Sequence, residues 1–266
     1  MILDKGRPLI MAHRGESENT PENTMLALEA AESIGVDVLE SDARLTKDDK
    51  VVLFHDDDME RTTGIAGTIR SFTLDELRDI DFGYTFTQDH GATFPFRGKG
   101  HTIVTLQEAF ERFPNTSFNL DIKDTFPSAP VELARVITQN ERKDSVIISS
   151  FNNSQIERFR ELMPDVLTGA HPGEVKQFVL NTKIGLPRIR RENIAYKAFQ
   201  VPMKSGPLKV VTEKFVRKAH EFGLVVHVWT INDSPTMHTL IDLGVDGIFT
   251  DNPRLLKQVL EERGLL

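Results

Sequence analysis

The sequence predicts an α/β protein built as a closed (β/α)8 TIM barrel. Three observations carry that expectation. The chain has 266 residues, and roughly 250 is an ordinary length for one barrel domain. Short apolar runs with little polar alternation recur along it, as expected of parallel strands buried on both faces, and amphipathic stretches lie between them. Three helix ends also share a form: Ile34-Gly35-Val36, Phe222-Gly223-Leu224 and Leu243-Gly244-Val245 each read as helix, left-handed glycine cap, next strand. A junction repeated in this way belongs to crossover helices on a parallel sheet. No glycine-rich dinucleotide fingerprint favours an open doubly wound sheet instead.

The candidate strands, in order, are residues 8–12, 36–41, 51–54, 117–122, 146–150, 166–170, 198–201, 225–230 and 247–250. Thr20 is expected to cap the first helix, with Pro21 at its first position, Met25, Leu28 and Ala31 on one side and Gly35 past its end. Thr212 caps another, with Phe215, Val216, Ala219 and Phe222 at helical spacing before Gly223. Ser234 caps a third, with Pro235 inside its start, Met237, Leu240 and Ile241 inward and Gly244 at its end.

Nine candidates compete for eight barrel places. The link from Asp42 to Val51 is too short for a crossover helix, which takes about a dozen residues or more. Residues 43–46 are therefore expected to turn back down, 47–50 to form a turn, and 51–54 to climb again as the third strand. Asp42 and His55 would then lie at one end of the barrel. Residues 64–101 are weakly periodic and contain several glycines and an aromatic cluster. They read as a small insertion after the third strand, with one short helix near 74–80. The chain is thus expected to be a single barrel domain over residues 1–266.

Composition narrows the function. A hydrophobic fraction of 39% and a charged fraction of 27% suit a soluble globular protein. A net charge of -8 argues against a nucleic-acid partner or an anionic membrane surface, both of which need a basic face. An enzyme this acidic must supply positive charge locally to act on a phosphate ester. The absence of cysteine excludes disulfides, thiolate nucleophiles and Cys-ligated zinc. The start, MILDKGRPLIMAHRG, holds one apolar run too short for a leader or a membrane span, so a cytoplasmic protein without stable membrane insertion is expected. No feature of the sequence sets an oligomeric state.

In this fold the active site sits at the C-terminal ends of the strands. There the sequence places His13-Arg14, Glu40-Ser41-Asp42, His55-Asp56, Asp121-Ile122-Lys123 and Trp229. Glu40 and Asp42, two apart on a strand, face one side. Together they repel unless a cation lies between them, and all-oxygen ligation favours Mg²⁺ or Ca²⁺, with Mn²⁺ a further candidate. Asp121 is a third candidate ligand. Acidic residues at strand ends are also ordinary solvated loop charges. His13 and His55 can titrate near neutral pH, as a general base and a general acid require. Asp56 could orient an imidazole or simply cap the following turn. Arg14 could grip phosphoryl oxygens with its fork and Lys123 act as a point charge, unless both only pair with neighbouring carboxylates. Phe151 and Trp229 could wall an alcohol or acyl group.

These pieces together resemble the glycerophosphodiester phosphodiesterase family. The resemblance rests on His13-Arg14-Gly15, Pro21-Glu22-Asn23-Thr24, Glu40-x-Asp42, Leu45-Thr46-Lys47-Asp48, His55-Asp56 and Arg61-Thr62-Thr63-Gly64. Later matches are Thr105-Leu106, Asp121-x-Lys123, Ser150-Phe151, Val228-Trp229-Thr230-x-Asn232-Asp233, Gly244-Val245-Asp246-Gly247 and Thr250-Asp251-x-Pro253. It implies a barrel of the phospholipase C-like phosphodiesterase type, one divalent cation held by acidic residues, and two catalytic histidines. It further implies hydrolysis of a small-molecule glycerophosphodiester to glycerol 3-phosphate and a free alcohol. The family usually carries Glu where this chain has Asp121, one methylene shorter.

The same residues admit other readings. The same site could take a lysophospholipid, with Phe82, Tyr84, Phe86, Phe94 and Phe96 lining an acyl groove, although buried aromatics are ordinarily core. A two-carboxylate glycosidase has no use for paired histidines with Arg and Lys. A barrel that binds a phosphoester without turning it over would not need the full set of acid, base and metal candidates.

Overall fold

The computed structural model describes residues 3, 5–184 and 194–266. The charged N-terminal start includes residues 1, 2 and 4, which lie outside those described. The strands are β1 (Leu9–His13), β2 (Val38–Leu45), β3 (Val51–Leu53), β4 (Ser117–Ile122), β5 (Val146–Ser149), β6 (Leu167–Thr168), β7 (Ala198–Pro202), the short pair β8 (Lys204–Ser205) and β9 (Leu208–Lys209), β10 (Val225–Trp229) and β11 (Gly247–Thr250). Eight of them pair in parallel in the order β6-β5-β4-β2-β1-β11-β10-β7. An isolated parallel bridge between Gly169 and Ala198 joins the two free edges into a ring. The architecture is therefore a (β/α)8 barrel.

The ninth candidate is where the structure departs from expectation. β2 does not turn down at Ala43. It runs on to Leu45, and β3 pairs antiparallel with it, Ala43 opposite Leu53 and Leu45 opposite Val51. The chain therefore climbs past the mouth and descends in β3, the reverse of the predicted path. The reason is register. Ala43, Leu45, Val51 and Leu53 are all buried as part of the main apolar core, so the paired strands extend that core. The Phe54 amide then donates to the Asp42 carbonyl, which returns His55 to the level of Asp42.

Residues 54–104 form an excursion between β3 and the helix α4 (Leu106–Arg112). It holds two short helices, α2 (Glu60–Thr63) and α3 (Leu74–Arg78), around a small cluster that includes Phe54, Met59, Ile69, Leu77, Phe82 and Ile103. Of the five aromatics between residues 82 and 96, only Phe82 is buried. Phe86 and Phe96 pair edge to face, and Tyr84 and Phe94 flank the Arg97 guanidinium.

The first helix, α1 (Met25–Ile34), begins later than expected. Thr20 is not its cap, because its hydroxyl donates back to the Glu16 carbonyl. Thr24 is, accepting from the Ala27 amide, an interaction typically worth about 1 kcal/mol. Residues 14–24 are thereby freed to wrap over the barrel mouth. They turn immediately after β1, with Gly15 at φ 87° packed so closely on α1 that a Cβ would lie 2.6 Å from the Ala27 backbone. Only glycine satisfies both demands. Ser234 is also displaced as a cap: it opens the helix α9 (Ser234–Asp242), and the Asp233 carboxylate accepts from the Thr236 amide. Thr212 caps α8 (Glu213–Glu221) as predicted, and Gly35, Gly223 and Gly244 all take positive φ.

The remaining helices, α5 (Ala129–Gln139), α6 (Asn153–Leu162), α7 (Pro172–Ile184) and α10 (Pro253–Glu262), complete the outer layer. Most of the apolar core lies between strands and helices. A smaller cluster of Leu9, Met11, Val38 and Phe249, with Trp229 against it, lies among β1, β2, β10 and β11. Among the described residues no helix is long and apolar enough to cross a membrane.

Candidate active site

The strand register gathers the polar side chains. His13 at the end of β1 pairs with Glu40, Asp42 pairs with Asp121, and Asp121 pairs with Ser149. Asp251 directly follows β11 and Trp229 ends β10. The C-terminal rim therefore receives one or more of these groups from β1, β2, β4, β10 and β11.

Each imidazole is held at Nδ1 by a carboxylate. His13 Nδ1 lies 2.6 Å from Asp251 Oδ1, and His55 Nδ1 lies 2.6 Å from Asp56 Oδ1. Asp251 is itself fixed by the Ser17 hydroxyl at 2.9 Å and the Asn232 amide at 2.6 Å. Such a carboxylate sets the tautomer and leaves Nε2 for proton transfer. Burial works against the charged imidazole of His13, but Glu40 and Asp251 outweigh it and raise its pKa above the ordinary 6.5. Burial would likewise raise Asp56, yet Arg61 and His55 hold it down at about 2.

The carboxylates of β2 and β4 are buried among two cations. Lys123 Nζ lies 3.0 Å from Asp42 Oδ1 and 2.7 Å from Asp121 Oδ2. Arg14 Nε lies 3.4 Å from Asp42 Oδ2, and Arg14 Nη1 donates to Glu22 at 2.9 Å. The Asn23 amide also reaches Asp42, at 3.2 Å. Against the cost of burial, Lys123 and Arg14 keep Asp42 below its ordinary value. Asp121 is pushed up by burial in spite of Lys123. Burial disfavours the Lys123 ammonium, but Asp42 and Asp121 raise its pKa further.

Glu40 differs from its neighbours. It accepts the Arg14 backbone amide at 2.9 Å, and burial pushes it up to about 7, only partly offset by His13. A buried carboxylate with so little compensation is what an added cation would relieve. The all-oxygen donor set of Glu40, Asp42 and Asp121 suits a hard divalent ion. As the side chains stand, no three His, Asp or Glu among the described residues are gathered to hold one. Asp42 and Asp121 are instead bridged by Lys123, which would have to swing off.

Phe151 and Trp229 meet edge to face at 5.7 Å, and Lys123 Nζ lies 5.6 Å from the Phe151 ring centre. Phe151 is 62% exposed. Beside it opens a cleft of about 490 Å³ lined by Asp121, Ile122, Lys123, Thr125, Phe151, Asn152 and Asn153.

This mouth has relatives. Residues 13–255 match the Glycerophosphoryl diester phosphodiesterase family. The chain belongs to that family. A glycerophosphodiester phosphodiesterase of Caldanaerobacter subterraneus is 31% identical, over 97% of this chain and 100% of that protein. A mouse protein named lysophospholipase D GDPD1 is 28% identical, over 94% of this chain and 85% of its own. Among solved structures, an Oleispira antarctica phosphodiesterase in complex with the product sn-glycerol-3-phosphate superposes with a TM-score of 0.78 at 26% identity, covering 96% of this chain and 97% of that one.

In this member of the glycerophosphoryl diester phosphodiesterase family, the structure adds partners that strand-end reasoning did not assign. Asp251 directly follows the last strand, so the same rule applied to β11 would have found it. Glu22, Asn23 and Arg61 lie in irregular or short elements, where no periodicity marks which way a side chain points. Asn23, at φ 57°, also accepts the Ser41 hydroxyl at 2.7 Å and so ties the wrapping loop to β2.

Proposed function

We propose that this chain hydrolyses glycerophosphodiesters to sn-glycerol 3-phosphate and a free alcohol, as one barrel domain in which residues 64–101 are an insertion. Its class, phosphoric diester hydrolase, follows from the family. The observation that carries the reading is the pair of imidazoles, each steadied at Nδ1 by a carboxylate, beside Arg14 and Lys123 at one mouth.

Arg14 and Lys123 would bind the non-bridging phosphoryl oxygens and offset the charge that grows during attack. One of His13 and His55 takes the proton from the attacking hydroxyl, either of water, which gives sn-glycerol 3-phosphate directly, or of the adjacent glycerol carbon, which gives a cyclic phosphate that water then opens to the same product. The other gives a proton to the departing alkoxide as its bond to phosphorus breaks. Glu40, Asp42 and Asp121 would hold one divalent cation, Mg²⁺, Ca²⁺ or Mn²⁺, which supplies further positive charge to the phosphoryl group. Phe151 and Trp229 would pack against the alcohol.

A lysophospholipid at the same site is a second reading, favoured by the mouse relative's name and by the exposed Phe151. Turnover of glycerophosphocholine and lysophosphatidylcholine, before and after chelation and with each metal restored, tests both readings. Metal-dependent release of sn-glycerol 3-phosphate from glycerophosphocholine is expected. Preference for the lysolipid would install the second reading, and full activity after chelation would remove the metal.

A further inference from the structure

Arg61 sits in the short helix α2, outside the barrel, with its side chain half exposed. All three of its guanidinium nitrogens are nonetheless engaged. Nε donates to Asp56 Oδ2 at 2.5 Å, while Nη1 and Nη2 donate to Glu22 Oε2 and Oε1 at 2.8 and 2.7 Å. Neither acceptor ends there. Asp56 turns its other oxygen to His55 Nδ1, and Glu22 Oε1 also accepts from Arg14 Nη1. One planar cation therefore joins the carboxylate that holds an imidazole to the carboxylate that holds a phosphate-binding arginine.

An isolated exposed ion pair would contribute little. This one is different because the fork fixes direction as well as charge: two parallel N–H groups orient Glu22, and the third orients Asp56. The backbone of Arg61 is pinned too. Its carbonyl accepts from the Thr85 hydroxyl at 2.6 Å, and the Thr85 amide donates to the Thr62 carbonyl at 3.3 Å. Residues further along the same segment reach the loop after β1, where the Gln88 amide donates to Asn19 at 2.7 Å. The excursion thus holds Arg61 in place over the mouth.

We propose that Arg61 is a positioning residue for phosphodiester hydrolysis, a clamp that keeps His55, through Asp56, at a set spacing from Arg14, through Glu22. The inference rests on the function proposed above and assigns that site a further residue. It explains why an arginine is needed where a lysine would supply the same charge: an ammonium cannot serve both carboxylates in one plane.

The test combines a cycle of kcat values for Arg61→Ala, Asp56→Asn and the double variant with the NMR signal of the His55 Nδ1 proton, assigned by its loss in His55→Ala. Arg61→Ala is expected to lower kcat by roughly 10²-fold, the scale of a small misplacement of reacting groups. The double variant should be no more than about threefold below the weaker single variant, because both lose one unit. Arg61→Lys should recover only part of the loss, and millimolar guanidinium should restore Arg61→Ala. The His55 signal should shift in Arg61→Ala with no substrate present, so this arm stands even if the wild type turns over no glycerophosphodiester. Wild-type kcat in Arg61→Ala or Arg61→Lys, fully multiplicative losses in the cycle, or an unmoved His55 signal would each overturn the proposal.

Discussion

The two imidazoles share a design that neither sequence position reveals by itself. Each has one ring nitrogen bound to a carboxylate that is in turn held by other groups, Ser17 and Asn232 for Asp251 and Arg61 for Asp56. Asp251→Asn keeps the shape but reverses the hydrogen-bond preference at one oxygen. It should lower kcat on glycerophosphocholine by roughly 10²-fold or more, by analogy with the carboxylate of a hydrolase triad. Near-normal turnover in a folded Asp251→Asn protein would take Asp251 out of the account. At this scale the sequence was informative where a side chain sits on or beside a strand end, as His13, Glu40, Asp42 and Asp121 do. It marked Glu22 and Asn23 only as part of a matched motif and gave them no role, because their positions depend on a loop containing positive-φ residues at Arg14, Gly15 and Asn23.

Among the elements, the barrel strands were legible because burial on both faces leaves unbroken apolar runs. The hairpin of β2 and β3 was not. Val51–Leu53 is as apolar as a barrel strand, and period alone does not say whether a run lies in the ring or beside it. Link length correctly excluded a crossover helix, but the direction of the return depended on which residues the hairpin could bury. Two cap assignments failed for a related reason. Thr20 and Thr24 both precede the first helix, and Asp233 and Ser234 adjoin at the start of the ninth. The choice falls to the residue whose acceptor meets a free amide, Thr24 and Asp233 here.

For the whole molecule, the barrel interior carries one buried polar group unlike the rest. His227 on β10 is fully buried beside Gly247 and Phe249, and neither ring nitrogen has a hydrogen-bond partner among the described residues. Burial pushes its pKa down to about 3 from the ordinary 6.5. The unfolded chain therefore takes up a proton below about pH 6.5 that the folded barrel refuses until about pH 3, so stability is full above this window and falls as pH drops through it. At about 1.4 kcal/mol per pH unit, His227→Leu should remove roughly 2–3 kcal/mol of the wild type's loss between pH 7.5 and pH 4.5, read from urea midpoints. Equal losses in the two proteins would contradict this assignment of His227.

The central claim is that this mouth performs acid–base hydrolysis of a glycerophosphodiester with His13 and His55 as the proton-transfer groups. The most direct measurement is the steady-state release of sn-glycerol 3-phosphate from glycerophosphocholine by the wild type, His13→Ala and His55→Ala under the same metal. The account predicts measurable turnover for the wild type and a kcat lower by roughly 10²–10⁴-fold in each variant. Wild-type turnover in either variant would contradict it.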